Sequence, residues 1–466
     1  MHIIAGSARL AQQRIFAKEV LTPEGWRRDQ TVEIDAAGRI AAISHGASNA
    51  DISVGALLPA PGNAHSHSFQ RAMAGLTEYR GAKNPRDDFW TWRALMYHFV
   101  ERLTPDDIEA IAAQVQMEML EAGFAAIGEF HYLHHQADGT PYDNPGELAD
   151  RIFAAAKNTG IGYTHLPVLY MRGGMDGRAL AGGQRRFGCT LNQFAGLIEA
   201  ANNSLNAMPA DAQLGVAPHS LRAVDKEALA FAASLNPQAP VHIHAAEQIG
   251  EVDEAITHLG ARPVEWLLNN ANIDHRWVLV HATQMTDSEI NNVAKSGAVI
   301  AACPITESNL GDGILEARKY LSAGGRMAIG SDSNIRISLA EELRTIEHSQ
   351  RLRDRERAVL ATADKSCGRA MLEQTVSGGA QALARDAGRI EAGALADLFA
   401  LDVDDPVISG LSGDRALDAW VFAGGDAQVS DVWAAGRHVV KDRRHIKREA
   451  IAARFNKTMT RLRAAL

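Results

Sequence analysis

Residues 56–65 read ALLPAPGNAH, an apolar run of strand length that ends in a histidine. Seven more runs of this kind follow: FAAIGEFHY (124–132), GYTHLPVLY (162–170), LGVAPHSL (214–221), PVHIHAAE (240–247), WVLVHAT (277–283), AVIAACPIT (298–306) and MAIGSDS (327–333). Between them lie stretches with helical period. In TPDDIEAIAAQVQMEMLEAG (104–123), Thr104 can cap the first turn, Pro105 suits the first helical position and Gly123 the end. SLAEELRTIEHSQRLRDRERAVL (338–360) is expected as another helix. Near-continuous apolar strands alternating with helices mean a parallel sheet covered by helices, and eight such units close a barrel. The expected fold class is therefore α/β, a (β/α)8 TIM-like barrel. An open doubly wound sheet is the second reading, but no GxGxxG follows the first run.

Outside the barrel pattern the two chain ends read as β structure. DQTVEIDAAGRIAAIS (29–44) alternates apolar and polar residues on both sides of a DAAG turn, a hairpin pattern. The strand pattern returns in GRIEAGALADLFALDVDD (388–405) and ALDAWVFAGGDAQVSDVWAAGRHVV (416–440). Each end is too small to bury a core alone. Residues 1–56 and 390–445 are thus expected to pair into one discontinuous β-sandwich domain beside a barrel of 57–389, and 446–466 to form a C-terminal helix.

Composition narrows the class. A chain of 466 residues exceeds one compact core, which saturates at roughly 250–300 residues. The hydrophobic share of 46% and charged share of 22% are those of a globular protein and exclude collagen-like or disordered chains. Lys+Arg 47 against Asp+Glu 56 gives a net charge of −9, which argues against a nucleic-acid partner. Cys189, Cys303 and Cys367 are odd in number and far apart, so no disulfide framework or zinc ribbon is expected. No apolar window approaches the ~18 residues of a membrane span, and the N-terminus lacks a signal-peptide pattern. A cytoplasmic protein without a membrane partner is expected.

The chemistry lies in where polar residues fall on the eight runs. The first ends in His65 and His67, the second in Glu129, His131 and Tyr132, and the fourth in His219. The fifth ends in His244 and Glu247, the sixth in His281 and the eighth in Asp332. All are C-terminal strand ends, where barrel active sites form. His65 and His67, two apart on an extended segment, project to one face and can grip one ion. Several imidazoles plus a carboxylate, without thiolate, suit a catalytic zinc with an open water position, though the same donors accept iron or another divalent metal. Zinc lowers the pKa of such a water toward ~7, which points to a hydrolase.

GNAHSH, HIHAAE, LVHAT, GSDS and the returning GALADL together resemble the amidohydrolase superfamily of metal-dependent hydrolases over essentially the whole chain. Carried over residue by residue, the resemblance implies His65, His67, His244 and Asp332 as ligands of one Zn2+. It implies Glu247, His281 and Asp332 as catalytic, proton-handling groups. The two-metal branch fits less well, because its bridging lysine is absent from APHSLRAV. HSHSFQRAMAGL, FWTWRALMY, EFHYLHH, HSLRAV, VHIHAAEQ and NLGDGI are similar to segments of the formimidoylglutamate deiminase branch. That similarity implies hydrolysis of N-formimidoyl-L-glutamate to N-formyl-L-glutamate and ammonia, in histidine degradation, by a homodimer. Gln70, Arg93, Tyr132, His219 and Arg222 would then hold the dianionic small-molecule substrate. Guanidinium groups bind carboxylates bidentately, so Arg93 and Arg222 suit its two carboxylates.

A mononuclear-zinc deaminase of an aminated heterocycle, such as guanine, adenosine or a triazine, is the alternative; it would favour stacking aromatics over arginines. A silent zinc scaffold would have lost its proton carriers, and Glu247, His281 and Asp332 are present. His134 and His135 are expected as solvated loop residues, Cys303 as a small buried side chain, and RLRDRERAV (351–359) as a solvated helix face with mixed charge pairs.

Overall fold

The computed structural model describes residues 12–47, 49–78 and 89–464. At the start of the chain, β1 (Gln13–Thr22), β2 (Gly25–Ile34) and β3 (Ile40–His45) form an antiparallel meander. The β2–β3 turn is the expected one: Gly38 donates its N–H to Asp35 O and takes φ +77°, a conformation glycine adopts without cost. β4 (Ile52–Pro59) lies parallel to β1.

The parallel strands follow. They are β5 (Gly62–Ser66), β6 (Ala126–His131), β7 (Gly162–Leu169), the short β8 (Gln213–Leu214) and β9 (Ala217–Pro218), then β10 (Val241–Ala245), β11 (Trp277–His281), β12 (Val299–Ala302) and β13 (Arg326–Ile329). The chain closes with β14 (Leu398–Leu401), β15 (Val429–Ala434), β16 (Arg437–Lys441) and β17 (Arg444–His445). Among the described residues no helix is long and apolar enough to cross a membrane.

Strand pairing divides these elements into three sheets. One has eight strands drawn from both chain ends, in the order β17-β16-β15-β14-β4-β1-β2-β3. In pairing terms the expected sandwich is this single mixed sheet, and its core includes Ile15, Val20, Val32, Leu57, Leu398 and Trp433. The other two are parallel arcs, β5-β6-β7 with β8 and β9 on β7, and β10-β11-β12-β13. The arcs meet through isolated bridges, Val216 with Val241 and Ser220 with His244 on one side, Ser66 with Asp332 on the other. Continuous ladders do not run round the whole set.

Two of the eight runs differ from their expected form. Run 56–65 is broken between Pro59 and Pro61, residues without an N–H for a ladder. Its first half pairs with β1 and β14 in the mixed sheet, and only its second half enters an arc. The boundary expected at 56/57 therefore falls inside β4. Run 214–221 is reduced to two fragments. Gly215 sits so close to its neighbours that a Cβ would lie 2.8 Å from Pro240 O, and Pro218 cannot donate.

Helix Pro105–Glu121 has the expected cap, with Thr104 Oγ1 accepting from Asp107 N–H and Asp107 accepting in return. Helix Leu339–Asp354 starts at the Ser338 cap but stops six residues short of the expected end, so RLRDRERAV is only partly helical. ALDAWVF (416–422) is not strand but part of helix Asp414–Phe422. Its buried Ala416, Leu417, Trp420 and Val421 follow the spacing i, i+1, i+4, i+5 of one helix face, not the period of two. The tail is helix Arg448–Arg463.

Candidate metal centre and substrate pocket

The strand ends of the two arcs converge on one site. β5 carries His65 and delivers His67 just beyond it; β10 carries His244, β11 ends in His281, and Asp332 follows β13. The backbone turns sharply at this rim. Ala246, His281, Ala282, Asp332 and Asn334 all take φ between +46° and +66°, a left-handed region that costs a non-glycine residue of order 1–3 kcal/mol. Such strain persists only where surrounding structure enforces it. Here Asp332 N–H donates to His65 O at 3.0 Å, His67 N–H donates to Asp332 O at 2.9 Å, and Asn334 Nδ2 reaches Ser66 Oγ and His67 O.

His65, His67, His244 and Asp332 present donor atoms that all lie within 4.8 Å of one another, and all four residues are buried. His65 Nε2 is 3.2 Å from His67 Nε2 and 3.1 Å from His244 Nε2, and Asp332 Oδ1 is 3.4 and 3.3 Å from His65 and His67. The tautomers of His67 and His244 are set from behind. His67 Nδ1 donates to Phe130 O and His244 Nδ1 to His219 O, both at 3.0 Å, which leaves their Nε2 atoms as bare lone pairs. Burial and the neighbouring imidazoles push all three rings toward the neutral form, His65 down to about 3. One Nε2 proton on His65 could satisfy only one of its two partners, so at least one pair of lone pairs would face each other. A cation among them removes that conflict, and the donor set fits a divalent metal with an open position.

Beside this group lie two proton-carrying side chains. Glu247 Oε1 is 3.6 Å from His281 Nε2, and His281 Nε2 is 4.0 Å from Asp332 Oδ2. Burial raises the Glu247 pKa against the pull of His281 and Arg222. The His281 pKa is raised because the Glu247 charge, with Cys303 and Glu307, outweighs its burial. A carboxyl and an imidazole brought together this way can exchange a proton.

A cavity lies above this group. Gln70, Arg93, Tyr132, His219 and Arg222 all line it, as do His67, His244, Glu247, His281 and Asp332. Gln70 Nε2 donates to Tyr132 Oη at 2.7 Å, while Gln70 Oε1 is buried with no hydrogen-bond partner among the described residues. Arg93 Nη2 donates to Tyr170 Oη at 2.8 Å, and its guanidinium lies 5.2 Å from the Tyr97 ring centroid. Arg222 Nη2 is 3.9 Å from Glu247 Oε2. Burial, then the charges of Arg222 and Arg93, hold His219 well below its ordinary pKa, so it is a neutral ring.

Sequence reading missed Tyr170, Tyr97, Trp92, Met96, Phe187 and Leu310, which complete the lining. Tyr170 ends the third run and could have been found by the strand-end rule; Phe187 follows a 3-10 turn in a loop and carries no such signal. The same rule misplaced Glu129 and His131. Side chains alternate along β6, so Phe130 and Tyr132 face the site while His131 packs near His134 and His165. Glu129 instead accepts from Ser68 N–H at 2.9 Å, and so anchors the loop after His67. His134 and His135 are buried rather than solvated, bonded to Val168 O and Gly188 O.

This arrangement has known counterparts. Residues 56–439 match the amidohydrolase family, and residues 12–51 match the N-terminal domain described as formimidoylglutamate deiminase HutF. The chain belongs to the amidohydrolase family. A family member from Pseudomonas aeruginosa, formimidoylglutamate deiminase, is 48% identical over 445 residues, covering 95% of this chain and 97% of that one. The crystal structure of an amidohydrolase from Brucella melitensis superposes with a TM-score of 0.91 at 46% identity, over 97% of this chain and 99% of the other. An adenosine deaminase from Xanthomonas campestris with bound zinc shares the fold at 22% identity and a TM-score of 0.80, over 97% and 98% of the two chains.

Proposed function

We propose that this amidohydrolase is a formimidoylglutamate deiminase, converting N-formimidoyl-L-glutamate and water to N-formyl-L-glutamate and ammonia. The observation that carries this reading is the pairing, in one cavity, of a three-histidine, one-aspartate donor set with two guanidiniums, Arg93 and Arg222. A flat heterocycle has no use for two such cations, whereas a glutamate tail carries two carboxylates for them. The 48% identity to the Pseudomonas aeruginosa enzyme supports the same substrate.

In this reading His65, His67, His244 and Asp332 hold one Zn2+, which when bound supplies Lewis acidity and lowers the pKa of water toward ~7. Arg93 and Arg222 bind the carboxylates, and the partnerless Gln70 Oε1 accepts an N–H of the formimidoyl group. Tyr132, fixed by Gln70, and neutral His219 bound the reacting end of the cavity. As water adds across the C=N bond, Glu247 takes one of its protons and delivers it to the terminal nitrogen. The second, from the added hydroxyl, passes to the same nitrogen by way of Asp332 and Glu247 as C=O forms, the C–N bond breaks and ammonia leaves. His281 orients the attacking oxygen, and Asp332 shares its proton. We read the two arcs as the wall of a (β/α)8 barrel closed by bridges. The three free, buried cysteines support a reducing compartment, in keeping with a cytoplasmic enzyme.

The test is ammonia release by metal-analysed protein from N-formimidoyl-L-glutamate, run beside guanine, adenosine and N-formyl-L-glutamate. Turnover confined to the first supports the reading; a preference for either heterocycle defeats it.

A further inference from the structure

A buried polar group lies behind His281, outside the residues that line the cavity. It consists of Cys303, the last residue before helix Pro304–Leu310, and Glu307 within that helix. We propose that Glu307 is a positioning residue: its carboxylate holds the Nδ1 proton of His281 and so presents Nε2 to Glu247 and Asp332. The inference rests on the reading of His281 as a group acting in the reaction.

His281 is the last residue of β11 and holds φ +66°, so its ring orientation is not set by ordinary strand geometry. Its two nitrogens face carboxylates on opposite sides. Nδ1 is 3.4 Å from Glu307 Oε1, and Nε2 is 3.6 Å from Glu247 Oε1. A carboxylate only accepts, so the nearer, fixed carboxylate keeps the proton on the nitrogen that faces it, whether or not the other nitrogen carries one. Glu307 is the fixed one. Its Oε1 accepts the Cys303 N–H at 2.8 Å, its N–H donates to Cys303 O at 2.9 Å, and its carbonyl accepts from Asp312 N–H at 2.9 Å. Glu307 and Cys303 are 4% and 0% exposed, so water does not compete for these bonds. The donors of His281, Cys303 and Glu307 are close enough to hold an ion. The Glu307 oxygen nearest His281 is, however, already held by the Cys303 N–H, which favours the hydrogen-bonded arrangement.

The competing account is that Glu307 only caps its short helix through the Cys303 N–H. Glu307→Gln separates the two, because an amide oxygen still accepts that N–H while the negative charge facing Nδ1 is gone. Zinc-loaded parent, Glu307→Gln, Glu307→Ala and His281→Asn are compared for kcat and KM on N-formimidoyl-L-glutamate, metal content, thermal midpoint and 15N histidine spectra. The proposal expects Glu307→Gln to keep one metal per chain, the parent midpoint and KM, and to lose kcat by about 10–100-fold, the range for partners that orient functional histidines. It expects the His281 15N signals to report Nδ1–H in the parent and to move toward Nε2–H in Glu307→Ala. Parent-like kcat in Glu307→Gln, an unchanged His281 tautomer in Glu307→Ala, or a second stoichiometric metal in the parent would each overturn it. Parent-like kcat in His281→Asn overturns the underlying reading instead, and the inference with it.

Discussion

The two ends of the parallel strands both bury polar and ionisable side chains and treat them in opposite ways. At the N-terminal ends, beside Gly162 at the start of β7, Arg385 is paired with Asp397 at 2.9 Å and Asp211 at 3.1 Å. Arg437 adds two bonds to Asp211, at 2.7 and 2.8 Å, and Asp397 accepts Ala435 N–H. Every charge there meets its opposite within the chain. At the C-terminal ends, imidazole nitrogens converge at 3.1–3.2 Å on one another, and Gln70 Oε1 has no partner among the described residues. A network completed by its own chain contributes to stability; one left incomplete is completed by an ion and a substrate. The end-to-end difference thus separates structure from function without reference to any relative.

The sharpest way to break this comparison is at the metal donors. His67→Ala should remove the metal and, with it, Lewis-acid assistance of several kcal/mol, on the order of three or more decades of turnover. Retained turnover with stoichiometric metal would mean that the donor set is wrong. Chelation should also lower the thermal midpoint, because an ion bound only to the folded state stabilises it by mass action. Next in size, Glu247→Gln should cut kcat by roughly 10²–10⁴-fold with KM little changed, since proton transfer and not binding is lost. Arg93→Met or Arg222→Met should keep the metal and reduce kcat/KM by about 2–5 kcal/mol, mostly through KM. Arg→Lys should be nearly as poor, because an ammonium cannot reproduce the planar fork. Steady-state kinetics with metal analysis checks all of these, and near-normal efficiency in the arginine variants would remove the anion pocket from the reading.

Much of the mouth was legible because strand periodicity and strand-end polarity are local signals. His65, His67, His244, His281 and Asp332 were found as residues that interrupt apolar runs at their C-terminal ends, and the structure brings them together. The same signal erred where alternation decides direction, as at His131, whose side chain points away from the site that Tyr132 lines. Burial of loop histidines was not legible, because His134 and His135 are covered by the distant carbonyls of Val168 and Gly188. The prolines at 59 and 61 were visible, yet their effect, sending half a run to another sheet, depends on pairing partners some 340 residues away in β14. The Arg385 network at the opposite end went unread altogether. Its members are 174 and 12 residues apart, and nothing local distinguishes such an arginine from a surface one.

That network gives the prediction with the smallest effect on turnover and a large one on stability. Arg385→Met strips the guanidinium from two buried carboxylates, a change that typically costs about 3–5 kcal/mol, because a buried charge is left uncompensated. The thermal midpoint should fall by several degrees, while kcat and KM at a permissive temperature stay within roughly twofold of the parent, as for sites that share no partners. Acid should expose the same bond. Burial works to raise the Asp211 pKa, but Arg437 and Arg385 outweigh it and hold it below its ordinary value. A carboxylate whose folded pKa is depressed contributes stability that is present above the unfolded pKa, about 3.9, and is lost as pH falls through the folded one. The parent should therefore lose stability from this source only below about pH 4, and Arg385→Met should unfold at a higher pH than the parent in an acid titration followed by circular dichroism. An acid midpoint unchanged by the substitution, or a permissive-temperature kcat that collapses with the fold intact, would show that the two ends are not separated as the comparison holds.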